Sequence, residues 1–142
     1  MILREQQALF IKLLAQLISW AYQNGYELTA GELKRSNEQA IINAMGYTKR
    51  MVLANAIALS FPDLSKAILD NGKANGIVGS LHELGLAVDL NLFKDGKFLP
   101  NSEDHRPLGE YWKSLSPLCR WGGDFKPNPD GNHYSCTWGG KS

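Results

Sequence analysis

Cysteine is scarce in this chain. Only Cys119 and Cys136 occur in 142 residues, and neither has the C-x-x-C or C-x-x-H spacing of a zinc pair, which excludes the closed, cysteine-rich kind of structural zinc site. Two such residues in a protein without a secretion signal are expected to be free, buried thiols, with a disulfide formed later, after release, left open. Net charge is equally small. At +1 it excludes an activity built on many phosphate contacts, so no nucleic-acid partner is expected. A long apolar run is missing too: Arg4, Glu5, Gln6, Gln7, Lys12 and Gln16 interrupt the N-terminal one, and no small-residue cleavage site follows it. Neither export nor stable membrane insertion is expected from it. What remains, 44% hydrophobic and 20% charged, is ordinary for one soluble globular domain, residues 1–142. We expect it to be a monomer.

Glu5 to Asn24 reads as an amphipathic helix, with Leu9, Phe10, Leu13, Leu14, Leu17 and Ala21 at three- and four-residue spacing and Gly25 placed to end it. Tyr26 to Thr29 is a short candidate strand. Ser36-x-x-Gln39 is a capping box that opens a helix through about Ala44, which puts Arg35 at a strand-to-helix junction. Met51 to Leu59 and Leu64 to Leu69 suggest two short helices separated by Pro62, followed by a Gly- and Asn-rich turn. Further on, Asp95-Gly96 is a two-residue hairpin signal. Pro107 suits the start of a helix ending near Leu115. Trp112 is expected in the core, and Trp121, followed by two glycines, at the edge of a site.

The chemistry gathers in two stretches. From Leu86 the chain alternates: Leu86, Val88, Leu90 and Leu92 share one face of a strand, and Ala87, Asp89 and Asn91 the other. His82, before Gly85, sits in the turn leading into that strand, close enough to converge with Asp89. Near the C-terminus Asp130-Gly131-Asn132-His133 places a carboxylate three residues before a histidine that opens a second alternating run. If the two strands are neighbours, His82, Asp89 and His133 form an N, O, N ligand set with a fourth position left open, the composition of a catalytic zinc site. Asp130 is then placed as general base. Asp104 and His105, in a polar loop, are set aside as ligands.

These residues carry a resemblance. Ser80-Leu81-His82, Gly85, Ala87 and Asp89-Leu90, followed by Trp121-Gly122-Gly123-Asp124-Phe125 and Asp130 to His133, resemble the zinc peptidases of the D-alanyl-D-alanine carboxypeptidase and L-alanyl-D-glutamate endopeptidase family, the VanY-like enzymes, and in particular small phage endolysins. Upstream, Gly31 to Gln39 is similar to that family's G-E-x-x-R-S-x-E-Q stretch. The resemblance implies zinc on His82, Asp89 and His133, general base catalysis by Asp130, and contact of Arg35 with substrate or transition state. Ser80 and Trp121 would line the substrate. The connection from Tyr47 to Ala74 is longer than in such relatives and reads as an insertion.

The implied fold is α+β: a small antiparallel sheet carrying the zinc site, packed against N-terminal helices, of the Hedgehog/DD-peptidase-like kind. The implied reaction is hydrolysis of an amide bond in the peptidoglycan stem peptide, between L-alanine and D-glutamate. Such an enzyme without its own signal would gather in the host cytoplasm and reach the wall after release. Two rivals stay open at this point: a D-alanyl-D-alanine carboxypeptidase, and a non-catalytic wall-binding or virion module that keeps the metal.

Overall fold

A computed structural model describes residues 1–31, 51–52, 55–56, 58–60, 62–69 and 80–142. The expected helix after Ser36, Arg35 itself and the turn through 71–79 lie outside the described residues. Helix α1 spans Leu3–Gln23 and buries Gln6, Phe10, Leu13, Leu14, Leu17 and Ala21 along one stripe. Full burial of each large apolar side chain on that stripe stabilises by about 1.5–3 kcal/mol. Asn24 caps the helix and Gly25 takes the left-handed turn, φ 83°, that lets the chain reverse. Strand β1, Tyr26–Ala30, follows at once. Helix α2 is Pro62–Leu69, so Pro62 opens it, consistent with the preference of proline for a first helical turn.

Among the described residues the sheet has five strands. Strand β2, Ala87–Lys94, pairs antiparallel with β1, with the hairpin strand β3, Lys97–Phe98, and with β5, His133–Cys136; β5 in turn pairs with β4, Cys119–Trp121. Asp95 and Gly96 both have positive φ, 51° and 73°, as the two central residues of a type I′ hairpin turn require. On β2 the buried Val88, Leu90 and Leu92 alternate with the half-buried Asp89, Asn91 and Phe93. Helix α3, Arg106–Leu115, packs against α1 and β4. Trp112 on α3 is fully buried, stands edge-on to Phe10 and Tyr134, and donates its indole N–H to the Arg120 and Ser135 carbonyls at 3.0 and 3.1 Å. The core thus lies between α1, α3 and one face of the sheet. Among the described residues no helix is long and apolar enough to cross a membrane.

Candidate metal centre

Pairing decides the site. Asp89 and His133 are direct Cα partners across β2 and β5, so their side chains leave the same face side by side. His82 comes from the turn before β2, closed by Gly85 N–H to the His82 carbonyl at 3.2 Å and Leu86 N–H to the Leu81 carbonyl at 2.8 Å, with Gly85 at φ 68°. That turn folds the imidazole back over Asp89. His82 is buried at 5% exposure, while Asp89 and His133 are half-buried.

The three ligand atoms form a nearly equilateral triangle. His82 Nε2 is 3.2 Å from His133 Nδ1, and Asp89 Oδ1 is 3.3 Å from each of them. Ligand bonds of about 2.0–2.2 Å to a tetrahedral zinc ion imply ligand-to-ligand edges of about 3.3–3.6 Å. The triangle therefore has the size of one face of a zinc tetrahedron. Its electrostatics agree. Burial by itself raises the Asp89 pKa, yet hydrogen bonds to His133 and His82 and their charge outweigh it and hold the carboxyl well below the usual carboxylate range. A metal ion would take the Nε2 lone pair of His82, with the ring proton on the other nitrogen. That other nitrogen, Nδ1, is buried and without a hydrogen-bond partner. The donor set thus fits a metal.

Asp130 heads the turn that delivers His133, whose N–H bonds the Asp130 carbonyl at 3.1 Å, and Asp130 N–H bonds the Gly122 carbonyl at 2.8 Å. It is an exposed residue with a partly enclosed carboxyl. Desolvation, then the charge of Asp89, raises its pKa; His133 and His82 oppose the rise. A carboxyl moved upward toward neutrality is the kind that exchanges protons during a reaction. It also lines a cavity of about 190 Å³ with Asn91, Phe98, Ser102 and His105.

Trp121 is placed differently from the expectation that it lines substrate. Its side chain is buried at 1% exposure, donates Nε1–H to the Gly131 carbonyl at 2.7 Å, and carries the Arg106 and Lys113 cations over its ring at 5.0 and 5.7 Å. The two glycines after it serve the protein's own packing: a Cβ on Gly122 would meet the Asp130 backbone and His133, and one on Gly123 would meet the Trp121 ring. Ser80 is half-buried, its N–H bonds Glu83 at 2.7 Å, and its Oγ is buried without a partner. His105 is buried and bonds the Tyr134 hydroxyl at 2.8 Å from a 3₁₀ turn, Ser102–His105, in place of a loose loop. It is no part of the ligand cluster.

Two contributors escaped the sequence reading. Phe125 sets its ring 5.6 Å from the His133 ring, and Ser102 accepts the Gly131 N–H at 3.0 Å. Phe125 had a signal, its place after Trp121-Gly122-Gly123; Ser102 had none.

Comparison with known proteins agrees with this geometry. No curated protein matches. The chain shares its fold with the Serratia marcescens L-Ala D-Glu endopeptidase ChiX, at 14% identity and a TM-score of 0.54 over 90% of this chain and 77% of that one. It shares it also with the vancomycin-resistance D,D-pentapeptidase VanY from a VanB-type cassette, solved in complex with Zn(II), at 20% identity and a TM-score of 0.52 over 89% and 70%. A further structure, VanYB in complex with D-alanine-D-alanine, gives 22% identity and a TM-score of 0.52 over 89% and 68%. The family described as D-alanyl-D-alanine carboxypeptidase matches residues 73–136, a segment that opens before the His82 turn and closes with the strand of His133. It is the segment holding the site that is matched, and this match together with the shared fold supports a place in the VanY-like peptidase family.

Proposed function

We propose that the protein is a zinc-dependent peptidoglycan hydrolase that cuts the stem peptide between L-alanine and D-glutamate, and that it serves as a phage endolysin. The observation that carries the zinc peptidase reading is the ligand triangle, 3.2 to 3.3 Å on each edge, with Asp130 three residues before one of its corners. The choice of bond rests on the resemblance to small phage endolysins. The family's own description, a carboxypeptidase, keeps removal of terminal D-alanine as the second reading.

His82 Nε2, His133 Nδ1 and Asp89 Oδ1 would hold the ion. When bound, zinc supplies Lewis acidity, which polarises a carbonyl and makes water acidic near neutral pH. The chain's own residues do the rest. Asp89 keeps its negative charge through the whole working range, because His133 and His82 hold its pKa down against burial. Asp130 takes a proton from the water that attacks the scissile carbonyl carbon and returns it to the amine that leaves, so the bond broken is C–N and the proton ends on nitrogen. Arg35, by resemblance, would bind a substrate carboxylate or the developing oxyanion with its guanidinium fork. Ser80 would stand at the substrate's edge beside His82. We infer further that the protein works as a monomer and meets the wall after release from the host cytoplasm.

The test is mass spectrometry of purified peptidoglycan digested by the zinc-loaded protein, with His133→Ala and Asp130→Asn as controls. New N-terminal D-glutamate paired with free L-alanine carboxyl ends is expected. Released D-alanine would replace the endopeptidase by a carboxypeptidase. Absence of any metal-dependent product across wall types would leave a binding module.

A further inference from the structure

Cys119 and Cys136 are direct Cα partners across β4 and β5. Thr137 N–H bonds the Leu118 carbonyl at 2.9 Å, which makes the Leu118–Thr137 rung a hydrogen-bonded pair and, by alternation, the Cys119–Cys136 rung a non-hydrogen-bonded one. In such a rung the Cα atoms approach to about 4.5 Å and side chains on the same face are closest. Disulfides span about 4.4–6.8 Å between Cα atoms. The two thiols are close enough for each to shift the other's ionisation and are 2% and 0% exposed. Both are free. Two sulfurs facing one another across such a rung can be bridged without moving either strand.

We propose that Cys119 and Cys136 are an oxidative modification site, a dithiol that closes into an intrachain disulfide when the protein meets a disulfide of a small thiol. The step is two exchanges. One cysteine thiolate attacks the small disulfide, forming a mixed disulfide and releasing one small thiolate. The second cysteine thiolate then attacks the protein sulfur of that intermediate and releases the other. Each cysteine sulfur loses one electron, the reagent gains two, and the two protons end on the released small thiols.

Burial disfavours either thiolate while both thiols stay inside the sheet. Access comes from position: β4 begins at Cys119 and β5 ends at Cys136, so the dithiol lies one rung from the end of the ladder, where local opening costs least. The segment enclosed by the bridge, residues 120–135, contains Asp130 and His133. Closing it would restrict the unfolded chain around that half of the site. The thiols share a face with Trp121 and Tyr134, the face opposite His133, so the bridge leaves the ligand triangle untouched.

The experiment is refolding of the full chain with zinc in reduced and in oxidised glutathione buffers, alkylation of remaining thiols, and peptide mapping without reductant. Refolding removes burial as a barrier to the reagent. The expected result is simultaneous loss of both thiols, a single cross-linked peptide pair holding Cys119 and Cys136, a monomeric chain, and a higher urea midpoint than the reduced form; Cys119→Ser should give no cross-link. Two thiols still free after oxidised refolding would overturn the proposal. So would separate glutathione adducts on each cysteine, or cross-links between chains.

Discussion

Trp121→Phe separates a buried brace from a substrate-contacting residue. In the wild type the indole is 1% exposed and its N–H reaches the Gly131 carbonyl at 2.7 Å, and Gly131 lies between Asp130 and His133. Phenylalanine keeps a ring but loses the donor and part of the volume. A buried carbonyl left without its partner costs about 1–3 kcal/mol, and the unfilled space adds roughly 1 kcal/mol. The sum is about 2–4 kcal/mol. With a urea m-value of about 2 kcal/mol/M, the unfolding midpoint should fall by roughly 1–2 M at unchanged m. Because the same carbonyl anchors the turn that presents both Asp130 and His133, zinc affinity and kcat should fall together. The assay is urea unfolding followed by tryptophan fluorescence and circular dichroism, with zinc titration and stem-peptide kinetics on the same protein. A variant as stable as wild type that shows only a raised KM would refute the bracing role and return Trp121 to the substrate edge.

Three further outcomes follow from the same geometry. Asp89→Asn removes the only anion of the ligand triangle, so zinc affinity should drop by more than the ~10–100-fold typical of losing a ligand's supporting hydrogen bond; zinc titration with a chromophoric competitor checks it, and an unchanged affinity would contradict the assignment. Asp130→Asn should retain zinc and lose about 10²–10⁴-fold in kcat; in the wild type, burial and the Asp89 charge raise the Asp130 pKa, so the acid limb of kcat/KM should lie above 3.8. Burial lowers the His105 pKa from 6.5, so the folded protein binds fewer protons there than the unfolded chain. The stability this group contributes is present above 6.5 and is lost as pH falls from 6.5 toward the folded-state value. Urea midpoints taken above and below that pH should fall on acidification in wild type and less in His105→Gln.

Much of this was legible in the chain itself. The periodicity of α1, the alternation along β2, the Asp95-Gly96 hairpin and the helix opening at Pro107 are local signals, each set by side-chain spacing or backbone preference within a few residues. His82, Asp89, Asp130 and His133 were identifiable because their order and spacing are those of a known family, and strand alternation already placed Asp89 on the polar face. Trp121 was misplaced for a physical reason. A tryptophan followed by two glycines reads as an open edge when glycine is taken to admit a ligand, whereas here the glycines admit the Asp130 turn and the Trp121 ring itself.

Sequence alone, then, determined the element types, the candidate ligands and the likeness to a peptidase family. Tertiary structure decided what depends on pairing between distant strands. Only the register of β2 against β5 makes Asp89 and His133 side-by-side partners, and only the left-handed turn at Gly85 brings His82 back to within 3.3 Å of Asp89. The same holds for the cysteines: residue spacing showed no pair, and the register of β4 against β5 set them face to face. Register has this power because side chains alternate with a period of two, so a slip of a single residue would send each of these groups to the other face of the sheet.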